Sequence, residues 1–326
     1  MTPDAVVLAG GQGLRLRPLT LTTPKPLLPV AGVPFLAHPL SRLRVAGVRH
    51  VVLAASRRTG PFEAAFGDGS ALGLELDYTA EPTPLGTGGG IRHAAARVRT
   101  DTVLVLNGDL LCGLDFAALL AAHAARAADV TLFLIRVPDS GAYGSVTVDA
   151  DQRVRAFQEK AAGSGGLGGL GDLVNGGCYV FARAVLDQIP AGREVSVERE
   201  VFPGLIAAGA RVYGHVAAPY WRDLGTPAAF VRGSADLVRG IAPTAALPGP
   251  PGEYLVLDGA TVAPTAVLSG GTTVGQRCAV GDHARVSGSV LFDGARVGPG
   301  AVVTRSVLGT GARVGTGGVI TDAVLA

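Results

Sequence analysis

The chain contains very little lysine and asparagine. Only Lys25 and Lys160 among its 28 basic residues are lysines, and Asn107 and Asn175 are its only asparagines. This bias is typical of a GC-rich genome, which replaces both residue types wherever another one serves. The planar guanidinium of arginine does not reproduce the compact charge of an ammonium group. The four remaining residues are therefore candidates for positions where the chemistry requires them.

The sequence also lacks the features of several common classes of protein. No window is apolar for long enough to span a bilayer, and the net charge is only +2, so neither a membrane nor a nucleic acid is an expected partner. Cys112, Cys178 and Cys278 show no metal-binding spacing and cannot all pair, which predicts reduced thiols in the cytoplasm. With 48% apolar and 17% charged residues, the 326-residue chain is long enough for two folded domains.

A glycine-rich turn follows the first apolar run, residues 5–9, which is short enough to be one buried strand. The turn contains Gly10, Gly11 and Gly13. Glycines at the end of a strand let backbone N–H groups approach phosphate oxygens, because no Cβ stands in the way. Arg15 and Lys25 then supply the positive charge that a polyphosphate needs. These features predict a phosphate-binding loop.

Two familiar phosphate loops are excluded. The Walker A pattern ends in Gly-Lys-Ser/Thr, and nothing in this stretch matches it. The dinucleotide pattern G-x-G-x-x-G, if it began at Gly11, would need glycine where Leu16 stands.

Strands and helices alternate over the first 137 residues. The pattern predicts strands at 48–55, 74–80, 102–106 and 130–137 and helices at 34–46 and 115–127. Such alternation predicts a Rossmann-like α/β sheet, and antiparallel-looking strands from residue 143 make it a mixed one. A second glycine-rich turn, Gly86–Gly90, opens a helix whose N-terminal amides are a place for a ligand. An ordinary loop is the alternative interpretation of that turn.

Two aspartates are candidates for carboxylate chemistry. Asp109 follows the strand at 102–106, at the edge where open α/β sheets bind ligands, although Asn-Gly-Asp is also a good turn. Asp223 precedes a helix and could simply cap it, but Thr226 before Pro227 fits that task better. Another helix start is indicated at Ser196, where an imperfect capping box is expected because the position three residues on is not Glu or Gln.

The last part of the chain has a six-residue repeat. Residues 240–253 are rich in proline and glycine and predict a linker between a domain at 1–239 and a second one at 254–326. In the second domain aliphatic residues recur at positions 256, 262, 268, 274, 280 and 286, and after phase slips at 291, 297, 303, 308, 314 and 320. This period is typical of hexapeptide repeats in a parallel β-helix. Some such domains are acyltransferases, but about four coils with one histidine, His283, favour a structural, oligomerising or regulatory role.

The segment LAGGQGLRLRPLTLTTPKPLLPV resembles the signature of the nucleotide-sugar pyrophosphorylases, the sugar-1-phosphate nucleotidylyltransferases. Their pattern is roughly GGxGTRLxPLT followed by PKPLLPV. The stretches QEKA, LVNGGCYVF, SVEREVFP and WRDLGTP are similar to further motifs of this family, and the signature and SVEREVFP are typical of mannose-1-phosphate guanylyltransferase-like members with a C-terminal left-handed β-helix. The chain departs from the pattern at Leu14, Ala161 and Gly176, where the family usually has Thr or Ser, Pro and Ala.

The resemblance implies an Mg²⁺-dependent reaction in which a sugar-1-phosphate attacks the α-phosphate of an NTP and releases pyrophosphate. GTP and mannose-1-phosphate are the first choice. Glucose-1-phosphate with a thymidylyl or adenylyl donor, and a heptose or cyclitol phosphate, are alternatives. A non-catalytic regulatory subunit that binds sugar nucleotides is the alternative from a different class.

The resemblance also implies roles for individual residues. Catalytic roles fall on Arg15, Lys25 and Asp109, and Asp109 and Asp223 would bind Mg²⁺. Nucleotide-binding roles fall on Leu8, Gly10, Gly11, Gly13, Gly86 and Thr87, and sugar-phosphate-binding roles on Gly144, Glu159, Lys160 and Asn175. A homo-oligomer, either a dimer or a tetramer with the β-helix involved, is the expected assembly.

Overall fold

The computed structural model describes residues 2–11, 13–55, 58–137, 145–158 and 172–326. The chain forms two compact units. The first unit comprises Met1–Gly10, Leu43–Gly108 and Leu114–Pro219, and the second comprises Gly11–Arg42, Asp109–Gly113 and Tyr220–Ala326. Three predicted sugar-phosphate residues, Gly144, Glu159 and Lys160, lie outside the described residues.

The strands before residue 240 are, in chain order, β1 (Asp4–Leu8), β2 (Pro29–Val30), β3 (Val33–Pro34), β4 (His50–Ala55), β5 (Glu75–Ala80), β6 (Thr102–Asn107), β7 (Leu110–Cys112), β8 (Val130–Arg136), β9 (Ser145–Val148), β10 (Val154–Gln158), β11 (Leu173–Ala182), β12 (Val212–Val216) and β13 (Trp221–Asp223). The α-helices are α1 (Ala37–Val45), α2 (Gly60–Phe66), α3 (Gly86–Ala95), α4 (Phe116–Ala125), α5 (Arg183–Gln188), α6 (Phe202–Ala207) and α7 (Pro227–Val238). None of the helices in the described parts of the chain is long and apolar enough to cross a membrane.

A mixed sheet of nine strands forms the centre of the first unit. Its order is β10-β9-β11-β6-β1-β4-β5, and β8 pairs with both β11 and β12. Strands β6, β1, β4 and β5 run parallel, whereas β11 runs antiparallel to its neighbours β6, β8 and β9. Strands β1, β4 and β6 are nearly continuous apolar runs, as expected for strands that are covered on both faces, whereas the edge strand β5 is more polar. The mixed α/β sheet predicted from the sequence is confirmed.

The helix start at Ser196 differs in detail from the sequence prediction. Ser196 Oγ accepts a hydrogen bond from Arg199 N at 3.1 Å, and Glu200 Oε1 accepts one from Ser196 N at 3.0 Å. The turn that follows, Val197–Val201, is a π-helix. Because this turn holds one residue more than an α-helical turn, Glu200 completes the reciprocal cap that Glu or Gln at position 199 would otherwise form.

The second unit contains the signature segment, which we define as residues 11–36, together with β7, β13, α7 and a parallel β-helix. The β-helix has three faces. The first contains Tyr254–Val256, Thr272–Val274, Val290–Leu291, Val307–Leu308 and Val324–Leu325. The second contains Thr261–Val262, Ala279–Val280, Arg296–Val297 and Arg313–Val314, and the third Val267–Ser269, Arg285–Ser287, Val302–Thr304 and Val319–Thr321. The parallel β-helix that the repeats predict is confirmed, and the architecture is consistent with the left-handed form that the family resemblance implies.

The repeat positions fill the interior of the β-helix. From Val262 to Ile320 every predicted aliphatic residue belongs to the core inside the coils or packs against it. Val256 is the exception and is exposed, because it lies in the first coil, stacks on Val274 of the second, and has no described coil on its other side. The first phase slip also has a structural cause. The corner after the third face holds two residues, Gly270 and Gly271, in the first coil but only one, Gly288, in the second. The distance between aliphatic positions is therefore one residue shorter at this corner.

Candidate functional site

A buried lysine and two aspartates form a charge cluster in the second unit. Lys25 Nζ lies 2.9 Å from Asp109 Oδ2 and 3.5 Å from Asp223 Oδ1. Only 9% of the Lys25 side chain is exposed, against 44% for Asp109 and 24% for Asp223. An ammonium group is costly to bury unless opposite charges contact it, because it loses its hydration. The two aspartates therefore compensate the charge of Lys25 while keeping exposed surface of their own.

Arg15 lies at the edge of this cluster. Its Nη2 atom is 3.5 Å from Asp223 Oδ2, and 68% of its side chain is exposed. A single long contact at this exposure contributes little free energy, because water screens it and the side chain loses rotamer freedom. The guanidinium group is thus weakly held and accessible to an anionic ligand.

Gly13 determines how the turn that carries Arg15 begins. Its φ angle is 57°, and a Cβ there would lie 2.8 Å from Thr20 Cγ2 and 3.3 Å from Lys25 Cβ. Thr20 Oγ1 also donates a hydrogen bond to Gly13 O at 2.8 Å. Glycine is therefore needed both for the left-handed backbone and for close packing on Thr20 and Lys25. Gly13 caps the 3₁₀ turn Leu14–Leu16, which carries Arg15, and a second 3₁₀ turn, Lys25–Leu27, carries Lys25.

The two aspartates are carried by a pair of short antiparallel strands. Asp223 ends β13 and pairs with Leu110 of β7, and Asp109 directly precedes β7. Leu224 N donates to Asp109 O at 3.4 Å. Thr226 Oγ1 accepts from Ala229 N at 3.2 Å and caps α7. The prediction that Thr226 is the cap is confirmed, so the Asp223 carboxylate is not used to cap a helix.

Gly225 is a residue of this site that the sequence reasoning missed. A Cβ at this position would lie 2.3 Å from Arg15 Nη2 and 2.9 Å from Asp223 Oδ2. The guanidinium of Arg15 thus occupies the space that any larger residue at 225 would fill. The available signal was its position in the stretch WRDLGTP, directly between Asp223 and the cap of α7.

The second glycine-rich turn has its amides occupied within the first unit. Gly88 N and Gly89 N donate to Val195 O at 2.8 and 3.3 Å. A Cβ at Gly86, whose φ angle is 68°, would lie 2.6 Å from the same carbonyl oxygen. The amides of Gly88 and Gly89, which were expected to face a ligand, therefore bond to the protein. The glycines let α3 begin against Val195.

Thr87 belongs to a hydrogen-bond network at the same place. Its hydroxyl donates to Glu198 Oε2 at 2.7 Å and accepts from Val197 N at 2.9 Å. Ser196 Oγ donates to the same Glu198 oxygen at 3.0 Å. The only hydrogen of the Thr87 hydroxyl is thus used within the protein. Its nucleotide-binding role stays a prediction.

Asn175 retains capacity to bind a ligand. Its Nδ2 donates to Tyr179 Oη at 2.7 Å and its Oδ1 accepts from Gly177 N at 3.0 Å, so one N–H of the amide has no partner among the described residues. The neighbouring departure from the family pattern has a physical reason. A Cβ at Gly176 would lie 2.2 Å from Phe133 Cδ1, so alanine would require the phenyl ring to move.

Three of the other predicted residues lie near the end of β1. Leu8 is the last residue of that strand, and Gly10 and Gly11 follow it on exposed backbone, with a φ angle of 107° at Gly11. Leu8 O accepts a hydrogen bond from Gly108 N at 2.9 Å. A Cβ at Gly108 would be 2.6 Å from that oxygen, so glycine is required there.

Two polar groups at the ends of the parallel strands β5 and β6 were assigned no role from the sequence. Burial raises the pKa of Glu81, which follows β5, and one of its oxygens accepts from Leu85 N at 3.0 Å. Asn107 Oδ1, at the end of β6, is buried and has no hydrogen-bond partner among the described residues. The scarcity of asparagine was the one sequence signal for Asn107.

Comparison with known proteins covers both parts of the chain. Residues 4–240 match the family model described as nucleotidyl transferase, and residues 251–326 match that of the GMPPB C-terminal domain. Mannose-1-phosphate guanylyltransferase of Mycobacterium tuberculosis is 58% identical over 294 residues, which are 90% of this chain and 80% of the relative.

More distant relatives agree with this assignment. The catalytic subunit beta of mannose-1-phosphate guanylyltransferase from Drosophila pseudoobscura pseudoobscura is 35% identical over 70% of this chain and 61% of its own length. The crystal structure of HddC from Yersinia pseudotuberculosis complexed with GMP-PN is similar with a TM-score of 0.62 and 27% identity, over 72% of this chain and 99% of HddC. The chain therefore belongs to the nucleotidyl transferase family, within its nucleotide-sugar pyrophosphorylases.

Proposed function

We propose that the protein transfers the guanylyl group of GTP to mannose-1-phosphate, forming GDP-mannose and pyrophosphate. The observation that carries this proposal is the 58% identity, over 90% of the chain, with an enzyme named mannose-1-phosphate guanylyltransferase. The cluster of Lys25, Asp109 and Asp223 supports it, because a reaction between two phosphate anions requires concentrated positive charge and metal-binding carboxylates. A regulatory subunit without activity would have no need to keep this cluster.

The side chains of the second unit have complementary tasks in this reaction. An oxygen of the sugar phosphate bonds to the α-phosphorus as the bond to the pyrophosphate oxygen breaks, and the electron pair leaves with pyrophosphate. Arg15 binds the β- and γ-phosphates and stabilises the charge of the leaving group, while Lys25 acts nearer the α-phosphate and the sugar phosphate. No general base is needed, because the attacking phosphate is already ionised.

Asp109 and Asp223 are the residues that would hold Mg²⁺. Mg²⁺ commonly takes one or two carboxylates and completes its octahedral shell with water and phosphate oxygens. Two partly exposed carboxylates suit that chemistry, and the described residues contain no group of three or more His, Cys, Asp or Glu that could hold a metal. When bound, the ion neutralises charge on the phosphate groups.

The roles of the remaining site residues follow from the family. Leu8, Gly10, Gly11, Gly13, Gly86 and Thr87 would contact the nucleotide, and Gly144, Glu159, Lys160 and Asn175 would contact the sugar phosphate. The one N–H that Asn175 has available supports its role. The glycines after the end of β1 and at the start of α3 support the others less directly, since two of the α3 amides bond within the protein.

Three broader proposals accompany this function. The catalytic domain comprises residues 1–239 and the β-helix domain residues 254–326, which the ranges of the two family models support. The reaction takes place in the cytoplasm, and the absence of a disulfide among the described cysteines supports that location. The protein assembles as a dimer or tetramer, which light scattering would test directly.

Pyrophosphate release from four NTPs against a panel of sugar-1-phosphates, with Mg²⁺ present, tests the function. We expect GTP with mannose-1-phosphate to have the highest kcat/KM, by about 100-fold over a pair with the wrong base. If GTP reacts best with another sugar phosphate, the guanylyltransferase reaction is confirmed but mannose-1-phosphate is not the preferred substrate. If no pair reacts while GDP-mannose binds, the regulatory-subunit alternative is correct.

A further inference from the structure

We infer that the β-helix positions Arg15 and Lys25 through a hydrophobic core that it shares with the signature segment. This inference rests on the proposed function for the roles of the two cations. It assigns the β-helix a part in catalysis, in place of the separate structural or oligomerising role that its repeats alone suggested.

One buried cluster contains residues of both elements. The signature segment contributes Leu16, Leu19, Leu28, Val30, Ala31 and Phe35, and the β-helix contributes Leu255, Val290, Phe292 and Val307. All of these residues are at most 7% exposed. The core inside the β-helix is a different cluster. The first face of the β-helix therefore buries side chains on both of its sides.

The shared core fixes the backbone next to each cation. Leu16 follows Arg15 directly, and its side chain is fully buried. Leu28 N donates to Lys25 O at 3.1 Å, and Phe35 N donates to Leu28 O at 2.9 Å. A shift of the β-helix surface would therefore be transmitted to the turn that carries Lys25 through Leu28.

Buried polar contacts hold the same elements in register. Ala31 N donates to Ser234 Oγ of α7 at 3.0 Å, and that hydroxyl is 3.3 Å from Thr273 Oγ1 of the β-helix. Ser234 and Thr273 are almost fully buried. A Cβ at Gly271 would lie 2.6 Å from Ala235 Cα, so α7 packs directly on the backbone of the first coil. The signature segment, α7 and the β-helix are thus joined by hydrogen bonds as well as by apolar packing.

The β-helix itself offers a matched control. Val290 and Val307 face the shared core, whereas Val286 and Val303 face the core inside the coils. All four are valines in neighbouring strands and are at most 2% exposed. Truncating either pair to alanine removes the same atoms from the same domain. Only the first pair faces the core that supports the cations.

The full-length variants Val290→Ala/Val307→Ala and Val286→Ala/Val303→Ala should be compared well below their melting temperatures. We expect the first to lose about 10- to 100-fold in kcat/KM for GTP and mannose-1-phosphate, because small displacements of positioning groups are costly. Its amides at Leu28 and Phe35 should exchange hydrogen faster. The second should have a lower Tm but a wild-type KM for GTP, a wild-type kcat and unchanged exchange at these amides.

Equal losses of activity in the two double variants, or wild-type activity and exchange in the first, would overturn the inference. If the first double variant does not fold, the single variants Val307→Ala and Val303→Ala provide the same comparison, with one valine truncated in each. If the wild-type protein itself does not turn over GTP and mannose-1-phosphate, the proposed function is wrong. The exchange measurement still decides whether the β-helix positions the signature segment.

Discussion

The two glycine-rich turns of this chain look alike in sequence, yet they use their glycines differently. Both follow a parallel strand and precede a helical turn. In the first, Gly13 lets the backbone come within van der Waals distance of Thr20 and Lys25, beside a cluster of four charged groups. In the second, Gly86 makes room for a carbonyl oxygen, and the amides of Gly88 and Gly89 bond to that oxygen.

This difference shows what a glycine-rich turn can and cannot indicate. The absence of a Cβ allows another group to approach the backbone closely. It does not indicate whether that group is a phosphate, a carbonyl or a side chain. The charged side chains around the turn make that distinction. The first turn is accompanied by Arg15 and Lys25, whereas the network of the second turn is built on hydroxyls and one carboxylate, Glu198.

Asp109→Asn provides the strongest test of the charged cluster at the first turn. The amide keeps the shape of the side chain but removes the charge that faces Lys25 and would bind Mg²⁺. We expect kcat/KM to fall by about 1,000-fold or more, while the far-UV circular dichroism spectrum stays unchanged. Asp187→Asn, which affects partly exposed pairs with Arg92 and Arg183 in the first unit, is the control and should leave activity unchanged. Activity retained in Asp109→Asn would contradict the metal assignment.

Acid should destabilise the signature segment, which the first turn opens, because His38 bonds to Val30 of that segment. Its Nε2 must donate to Val30 O, 3.0 Å away, because a carbonyl only accepts, so its Nδ1 accepts from Thr244 Oγ1. Burial lowers the pKa of His38 to about 4 from its ordinary 6.5. Above pH 6.5 its contribution to stability is complete, and it is lost as the pH falls from 6.5 towards 4, because the unfolded state binds the proton first.

The resulting loss of stability should reach about 3 kcal/mol at pH 4. Urea unfolding of the wild type between pH 7 and pH 4 measures the slope, and His38→Gln should flatten it over the same range. If the slope is the same in both proteins, proton binding by His38 does not account for it.

Gly225→Ala tests whether the first turn depends on space as well as on charge. The new methyl group would displace the Arg15 guanidinium, so we expect kcat/KM to fall by about tenfold with little change in Tm. Gly204→Ala is the control, because a Cβ at 204 meets nothing within 4 Å. The double variant Arg15→Ala/Gly225→Ala should be no worse than Arg15→Ala alone. Additive losses would show that the methyl group acts through the Asp223 carboxylate, 2.9 Å from it, and not only through Arg15.

The sequence was a reliable guide where a pattern was long or a motif was tied to charge. The six-residue period predicted the interior of the β-helix and failed only at Val256, because periodicity carries no information about where a stack of coils ends. Lys25, Asp109 and Asp223 come together as the signature and the WRDLGTP stretch implied. Their shared contact depends on the pairing of β7 with β13, which lies more than a hundred residues away in the sequence. No local sequence pattern indicates that pairing.

Other features were not predictable because they depend on contacts with residues far away in the sequence. The sequence does not reveal that Gly225 leaves space for Arg15, or that a carbonyl at Val195 occupies the amides of α3. Likewise, an aliphatic period identifies the residues that face into the coils but not the outer row at Val290 and Val307, which packs against the signature segment. Such tertiary contacts join residues far apart in the chain, and local patterns do not encode them.

Thr87→Val decides whether the second turn has any part in binding the nucleotide. Valine matches threonine in shape but cannot hydrogen-bond to Glu198 or Val197. We expect a loss of about 1–2 kcal/mol in the free energy of unfolding, because Val197 N and the Glu198 carboxylate each lose a partner. If the turn is only structural, KM for GTP stays at the wild-type value, and Thr87→Ser restores the stability. A KM that rises several-fold in Thr87→Val and returns to the wild-type value in Thr87→Ser would mean that the hydroxyl changes partner when GTP binds. The two turns would then both serve the substrate.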